Sequence, residues 1–521
     1  MSLKHVFIIF LSLLCACVVF AENAISGGTI ICAYYNDPRS LNPLAPPEAA
    51  SANFQNLLFN GLIRFNERLE IVPELAESWR VSPDGITWTF NIRKDVRFHD
   101  GTELTADDVL FTFNWILNPA NRSPLSALFQ PVKSFSAEGT YVFKVLLKEP
   151  YGPLPYLMMR SIVPARLLKG GAVAEAEFGK HPIGTGPFKL SELKPGQLVF
   201  DANESYFEGR PLLDRIVFKV FADQKKAWAS LVQGDTDVVT DLDREDYEVI
   251  RNDNRFKVYD LPDVFCYTLL FNLKDPLFSQ QKIREAVSLV IDRTDIVEKA
   301  LSGAGIPTTG PFRPGTWPYN PDPALQTFDP SKAAKILADL GWKDTDGDWV
   351  LEKGKEELRF TVLMDQGDRS KEATAQRLQW QLLQAGIRMD VEVLPFQELL
   401  QKRLAPGTFQ AVLLQFNTSG DPDSSANTFW NSASIGRSNF GSYMSRDADR
   451  LIEEGRKTSD PGKRQEIYQK LHSLLASDVP AVFLYYKQWY CAVSSRLNGI
   501  GKTTEFFNAS SIKNWYLTES R

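Results

Sequence analysis

Between residues 358 and 416 the hydrophobic pattern switches repeatedly between two periods, and this restricts the fold more than any other feature of the chain. Leu358, Phe360, Val362 and Met364 recur at every second residue, as in a strand with one buried face. Ser370-Lys371-Glu372 then opens a helical segment that ends at Gly386, a residue type suited to a helix C-terminus. Met389, Val391 and Val393 form a second strand, Phe396–Leu404 a short helix and Phe409–Phe416 a third strand. A β-α-β-α-β order predicts a parallel, doubly wound sheet with right-handed crossovers. Ligands of such sheets bind beyond the carboxyl ends of the strands, which nominates the loops Asp365–Arg369 and Asn417–Ser425.

Other helices are punctuated as clearly. Asp329-Pro330 and Asp460-Pro461 each place a capping carboxylate before a proline at the first helical position. The stripe Ile467, Tyr468, Leu471, Leu474 and Leu475, and another through Ile283, Ala286, Val287, Val290 and Ile291, read as core packing. Strands in the N-terminal half, Gly28–Tyr35 and Thr87–Ile92 among them, are interrupted by turns and mixed with helices, giving an α+β character. A chain of 521 residues exceeds what one hydrophobic core serves, so at least two lobes are expected.

Charge and composition narrow the partners. With 58 Lys+Arg against 64 Asp+Glu, the net charge of −6 argues against a nucleic-acid partner, which needs concentrated Lys and Arg. Four histidines argue against a His-based metal site, and no metal or cofactor is expected. Asp344-Thr345-Asp346-Gly347-Asp348 has the look of a calcium loop, but its sixth position is Trp349 and its twelfth Lys355, so a hairpin turn is the better reading. Gly501-Lys502-Thr503 lacks the first glycine of a phosphate loop, because Arg496 occupies that position. No GxSxG, HExxH or paired CxxC occurs, and no nucleophile–base pair suggests itself.

The first residues read as an export signal. Lys4 precedes an apolar run from Val6 to Phe20, which as a helix would rise only about 22 Å, short of a hydrocarbon core of about 30 Å. A signal peptide over residues 1–21, cleaved after Ala21, is expected, giving a periplasmic protein. Leu14-Cys15-Ala16-Cys17 offers the alternative of a lipid anchor at Cys17. Removal of the signal takes the net charge from −6 to −7 and leaves Cys32, Cys266 and Cys491, an odd number that cannot all pair within one chain.

A series of motifs carries a resemblance. Asn60-Gly61-Leu62, Leu75-Ala76-Glu77-Ser78-Trp79, Asp84-Gly85-Ile86-Thr87-Trp88-Thr89-Phe90, Phe98-His99-Asp100-Gly101 and Leu104-Thr105-Ala106-Asp107-Asp108-Val109 follow in order. Gly184-Thr185-Gly186-Pro187-Phe188, Ile283-Arg284-Glu285-Ala286-Val287 and Ile291-Asp292-Arg293 complete the set. Together they resemble the extracellular solute-binding proteins, family 5, receptors of ABC importers for peptides, nickel and other solutes. The resemblance implies an α/β, two-lobed flytrap: lobe I over 22–263 with a subdomain at about 55–183, lobe II over 264–486, and a return to lobe I over 487–521. It also implies a non-catalytic, monomeric receptor that delivers a small molecule or peptide to a membrane permease.

In peptide receptors of this kind an Asp three residues before the Asp/Glu-Pro step commonly holds the ligand's α-ammonium; here Thr418 stands there. A hydroxyl accepts a hydrogen bond but leaves an ammonium unneutralised. Asp421 and Asp423 are then candidate anchors, with ordinary turn chemistry as the competing reading. Phe429, Trp430, Trp317, Tyr34 and Tyr35 are candidate aromatic walls, and Arg369 a candidate partner for a ligand carboxylate. Di- or oligopeptide is the leading ligand class; oligosaccharides, opine-like compounds and metal chelates remain open. An exported hydrolase using Asp421 and Asp423 as a carboxylate pair is the alternative from another class.

Overall fold

The computed structural model describes residues 27–518 except 47, 67–69, 243, 323–327, 419, 502–505 and 508. The expected signal peptide, its cleavage after Ala21 and the lipidation alternative at Cys17 lie outside the described residues.

Eleven strands make one mixed sheet: β1 (Thr29–Tyr34), β2 (Phe188–Lys194), β3 (Gln197–Ala202), β4 (Arg215–Val220), β5 (Val238–Leu242), β6 (Phe256–Phe271), β7 (Gly305–Pro307), β8 (Arg359–Asp365), β9 (Arg388–Leu394), β10 (Ala411–Asn417) and β11 (Ala481–Ser494). Their order is β9-β8-β10-β6-β11-β5-β1-β4-β3-β2, with β7 on β11. The passage read from periodicity forms as expected: β8 runs parallel to both β9 and β10, with a helix over Arg369–Leu383 between β8 and β9. Asp368 caps that helix through the amides of Ser370 and Lys371. Asp329 and Asp460 cap theirs through Lys332 and Lys463.

β6 and β11 are the longest strands of the sheet, 16 and 14 residues, and pair antiparallel along most of their lengths. Their register slips between Pro262 and Cys266: four steps along β6 oppose two along β11, from Gln488 to Tyr486. Pro262 has no amide hydrogen to give the ladder, so the interruption falls at a residue suited to it. The apolar interior divides at the same place. Buried members of two clusters come from residues up to Ile250 and again from Tyr490 onward. Those of the other two come from Cys266 to Tyr486.

A separate antiparallel sheet of four strands lies in the order Ala76–Val81, Thr87–Ile92, Val142–Leu147, Val132–Glu138. The helix Ala106–Leu117 has a capping box in which the Asp108 carboxylate accepts from the Thr105 amide. Its Phe113 ring lies 5.6 Å from that of Phe143.

The Gly184-Thr185-Gly186 turn packs backbone to backbone on the end of the helix Ala49–Leu58. The Gly186 amide donates to the Leu58 carbonyl at 2.8 Å. His99 clamps the turn: its Nδ1 accepts from the Gly184 amide at 3.2 Å, and its Nε2 lies 3.1 Å from the Gly186 carbonyl. Burial holds this imidazole down to about 4, which keeps Nδ1 an acceptor. A Cβ on Gly184 would stand 1.9 Å from the Leu58 oxygen. Gly184→Ala is therefore expected to cost about 1–3 kcal/mol through forced backbone separation. Urea unfolding checks this; an unchanged midpoint would contradict the packing.

Cys32, Cys266 and Cys491 are free and buried.

Candidate functional site

The carboxyl ends of β1, β5, β8 and β10 converge on the slipped register of β6 and β11, so the open ends of the parallel strands face one seam. Thr418 follows β10 directly. Its amide and Oγ1 both donate to the Val264 carbonyl, at 2.9 and 2.8 Å, which ties the loop after β10 to the slipped segment of β6. Asp263 precedes Val264 and accepts from its amide at 2.6 Å. Burial raises the Asp263 carboxyl, opposed by the Val264 and Phe265 amides, then by the charge of Lys487 and by the Trp489 indole N–H.

From β11, Lys487 reaches across the seam. Its Nζ lies 3.4 Å from Asp368, 5.0 Å from the centroid of the Tyr267 ring and 6.0 Å from that of Trp489. The Tyr267 hydroxyl donates to Asp368 at 3.0 Å, and the Tyr267 ring stacks on Tyr485. Burial opposes the Asp368 charge, but Lys487, the Tyr267 hydroxyl and the Lys371 amide hold its carboxyl below the ordinary range. Arg313 donates to the Pro262 carbonyl at 3.4 Å, and burial lowers its pKa. Trp489 is 41% exposed and Val264 36%, so the seam presents apolar surface between charged groups.

Asp421 and Asp423, the candidate anchors, turn away from an open role. Arg464 grips Asp421 through both terminal nitrogens, at 2.8 and 2.7 Å, with both side chains nearly out of water. Burial works against the Arg464 charge and Asp421 outweighs it, lifting the guanidinium pKa above its ordinary value. Arg456 holds Asp423 at 3.0 Å, and burial still leaves the Asp423 carboxyl raised. Asp421 also caps the helix Pro422–Phe429 through the Asp423 amide, so the turn-chemistry reading describes it. Two carboxylates each inside a guanidinium fork do not form the acid–base couple that a hydrolase would require.

Trp430 is also a packing residue: it is 2% exposed, with its ring edge-on to Phe416 and Phe483. Phe429 is half-buried, 4.4 Å from Phe416. Trp317 is half-buried over the Arg464 guanidinium, 5.5 Å away, and edge-on to Tyr468. Tyr34 is buried against Phe54, while half-buried Tyr35 donates its hydroxyl to the Thr240 carbonyl at 2.9 Å. Arg369 is exposed in the first turn of its helix.

Opposite the loop after β10, Gly152 donates to the Arg456 carbonyl at 2.6 Å. Tyr156 lies against Gly420, where a Cβ would meet the ring at 2.5 Å and φ is +84°. Away from the seam, the carboxylates of Asp344, Asp346, Asp348 and Glu352 offer oxygens within 4.8 Å of one another. The hairpin reading holds there as an antiparallel bridge between Lys343 and Glu352.

Asp368 lies in the loop Asp365–Arg369 nominated from the sequence, whereas Asp263, Lys487 and Trp489 were not candidates. The one signal that could have found them is Pro262 inside an otherwise strand-like run.

Residues 70–437 match the family described as bacterial extracellular solute-binding proteins, family 5 Middle. The chain belongs to that family. The oligopeptide-binding protein AppA of Bacillus subtilis (strain 168) is 32% identical over 505 residues, covering 95% of this chain and 92% of AppA. The dipeptide-binding protein of Escherichia coli (strain K12) is 26% identical over 509 residues, covering 91% and 92%. AppA solved in complex with a nonapeptide superposes with a TM-score of 0.68 at 31% identity, covering 95% of this chain and 100% of that one. NikZ from Campylobacter jejuni in complex with Ni(L-His) superposes at 0.70 and 26% identity, covering 94% and 99%. The family 5 chain thus has the α/β, two-lobed fold of periplasmic binding proteins, with mixed parallel and antiparallel strands. Proteins of this family are receptors for solutes. Among the described residues, no helix is long and apolar enough to cross a membrane.

Proposed function

We propose that this protein is the exported receptor of an ABC importer, that its ligand is a di- or oligopeptide, and that it holds and delivers this ligand without converting it. The observation that carries the reading is the seam itself, where two long crossover strands meet the open ends of parallel strands. Relatives of nearly equal length named for oligopeptide and dipeptide binding support it. Lobe I comprises residues 22–263 and 487–521, with a subdomain at about 55–183, and lobe II residues 264–486. The division of the core between Ile250 and Cys266, and between Tyr486 and Tyr490, supports those boundaries.

A ligand in the seam would touch Thr418 of lobe II on one side and Asp263, Trp489 and Tyr35 of lobe I on the other, with Phe429, Trp317 and Arg369 at the margin. Contacts to both lobes exist only when the lobes are together, so ligand favours the closed arrangement that a permease recognises. The mature chain begins after Ala21, or at a lipid-bearing Cys17, and acts as a monomer with no nucleic-acid partner.

Native mass spectrometry of the purified mature protein is expected to find retained peptides. After their removal, a free peptide at 100 times its dissociation constant should add about 2.7 kcal/mol of stability. No retained peptide and no shift across a di- to nonapeptide panel, with binding of a nickel–histidine complex instead, would overturn the peptide reading.

A further inference from the structure

We propose that the segment Tyr151–Tyr156 is a latch that seats the lobe I subdomain on lobe II by protein contacts alone and so sets the angle between the lobes. Gly152 is the residue that lets the latch engage. The inference rests on the lobe division proposed above.

The receiving surface is the carboxyl end of the helix Arg446–Lys457 in lobe II. The last four carbonyls of a helix have no partner within it. Here the Glu454 carbonyl accepts from the Thr458 amide and hydroxyl, at 3.0 and 2.7 Å, and the Gly455 carbonyl from Arg464 Nε at 3.0 Å. The Arg456 carbonyl takes its donor from the other lobe, the Gly152 amide at 2.6 Å. The pairs of Asp421 with Arg464 and of Asp423 with Arg456 brace this helix end, which gives both aspartates a structural task.

Only glycine fits at position 152. A Cβ there would stand 2.0 Å from the Thr458 carbonyl oxygen and 2.9 Å from Arg464 Nε, both in lobe II. Ordinary C···O approach is about 3.3 Å, and this oxygen is main chain, so the lobes rather than a side chain would have to give. Gly420 repeats the arrangement from the other side, since the Cβ it lacks would meet the Tyr156 ring of lobe I at 2.5 Å. Tyr156 is tied back to the subdomain by Phe65, whose ring centroid is 6.4 Å away. Pro150, Pro153 and Pro155 fix φ at three places in and beside the segment, so it loses little freedom on docking. This junction is distinct from the crossovers of β6 and β11. A third attachment removes rotations that two crossovers leave free, and a ligand then meets lobes with less ordering to lose.

The test places spin labels at Glu149→Cys and Lys463→Cys, exposed residues on the two sides of the contact, and measures their separation by pulsed electron resonance. Adding Gly152→Val should lengthen the mean separation by about 2 Å or more and broaden its distribution. Gly152→Val should also weaken tetra-alanine binding about tenfold, as when the competent arrangement falls from nearly all molecules to about one in ten. An unchanged separation, or wild-type affinity for tetra-alanine in Gly152→Val, would overturn the latch and leave the peptide reading standing. Silence of every peptide toward the wild type would remove the peptide reading, and the label separation would then decide the latch by itself. Hydrogen exchange in the wild type decides the matter even where Gly152→Val folds poorly. Pro153 and Pro155 carry no amide hydrogen, so the segment reports on few sites. The Gly152 amide should exchange about a hundredfold or more slowly than an open amide, and free exchange there would overturn the proposal.

Discussion

Arg464→Met is expected to lose about 3–5 kcal/mol of stability, because it strands the Asp421 carboxylate in a site built around a guanidinium. The pair is buried on both sides and bidentate, and Trp317 and Tyr468 cover the Arg464 group at 5.5 and 5.3 Å. Asp421→Asn should cost less, since an amide oxygen still accepts from Arg464 and no negative charge is left behind. Arg464→Met with Asp421→Asn should cost less than the two single losses added, because the double variant contains neither unpaired charge. Urea unfolding of the four proteins measures the coupling. Strict additivity, or a single-variant loss below about 1 kcal/mol, would place this ion pair with exposed ones of little consequence.

His472 gives the second large effect, and it depends on pH. The ring is fully buried on the helix Pro461–Asp478, packed against Phe312, Tyr319 and Gly310. Neither ring nitrogen has a hydrogen-bond partner among the described residues. Burial alone pushes the imidazole from 6.5 down to about 4. Between those values the unfolded chain carries the proton and the folded chain does not, so stability falls as pH falls from 6.5 to 4. At 1.36 kcal/mol per pH unit the total loss is about 3 kcal/mol. Glu74 acts in the opposite sense. Burial pushes its carboxyl from 4.5 up to about 7, despite Arg64, so its contribution is lost as pH rises through that range. The comparison that isolates His472 is therefore wild type against His472→Phe at pH 7 and pH 4. The variant should gain about 3 kcal/mol relative to wild type on acidification. An equal difference at both values would mean that the ring is hydrated or partnered in solution.

The parts of the fold that the sequence made legible are those fixed by neighbours in the chain. Period-two alternation over 358–364 and the caps at Asp329 and Asp460 each involve residues a few positions apart, and each forms as read. The pairing of β6 with β11 was not legible, since it joins strands more than 200 residues apart and leaves no local pattern. The same reason separates the candidate residues from their roles. Arg464 and Arg456 lie 43 and 33 positions beyond the aspartates they hold, so Asp421 and Asp423 looked open when read alone. Trp430 and Phe429 are adjacent in sequence, and only the helix direction decides that one enters the core while the other stays half-buried. Asp263 escaped notice because a lone acid after a proline looks like a turn, whereas it stands where two lobes exchange strands.

The three native thiols have a practical consequence. Cys32, Cys266 and Cys491 show no accessible surface, and burial raises all three, with Cys266 pushed up to about 12. Thiolate is the reactive species, so maleimide reagents should pass over them in the folded protein. A dye pair could therefore be attached through two cysteines introduced on opposite rims, with the native sulfurs left unaltered, and the distance between the rims followed molecule by molecule as solute is added.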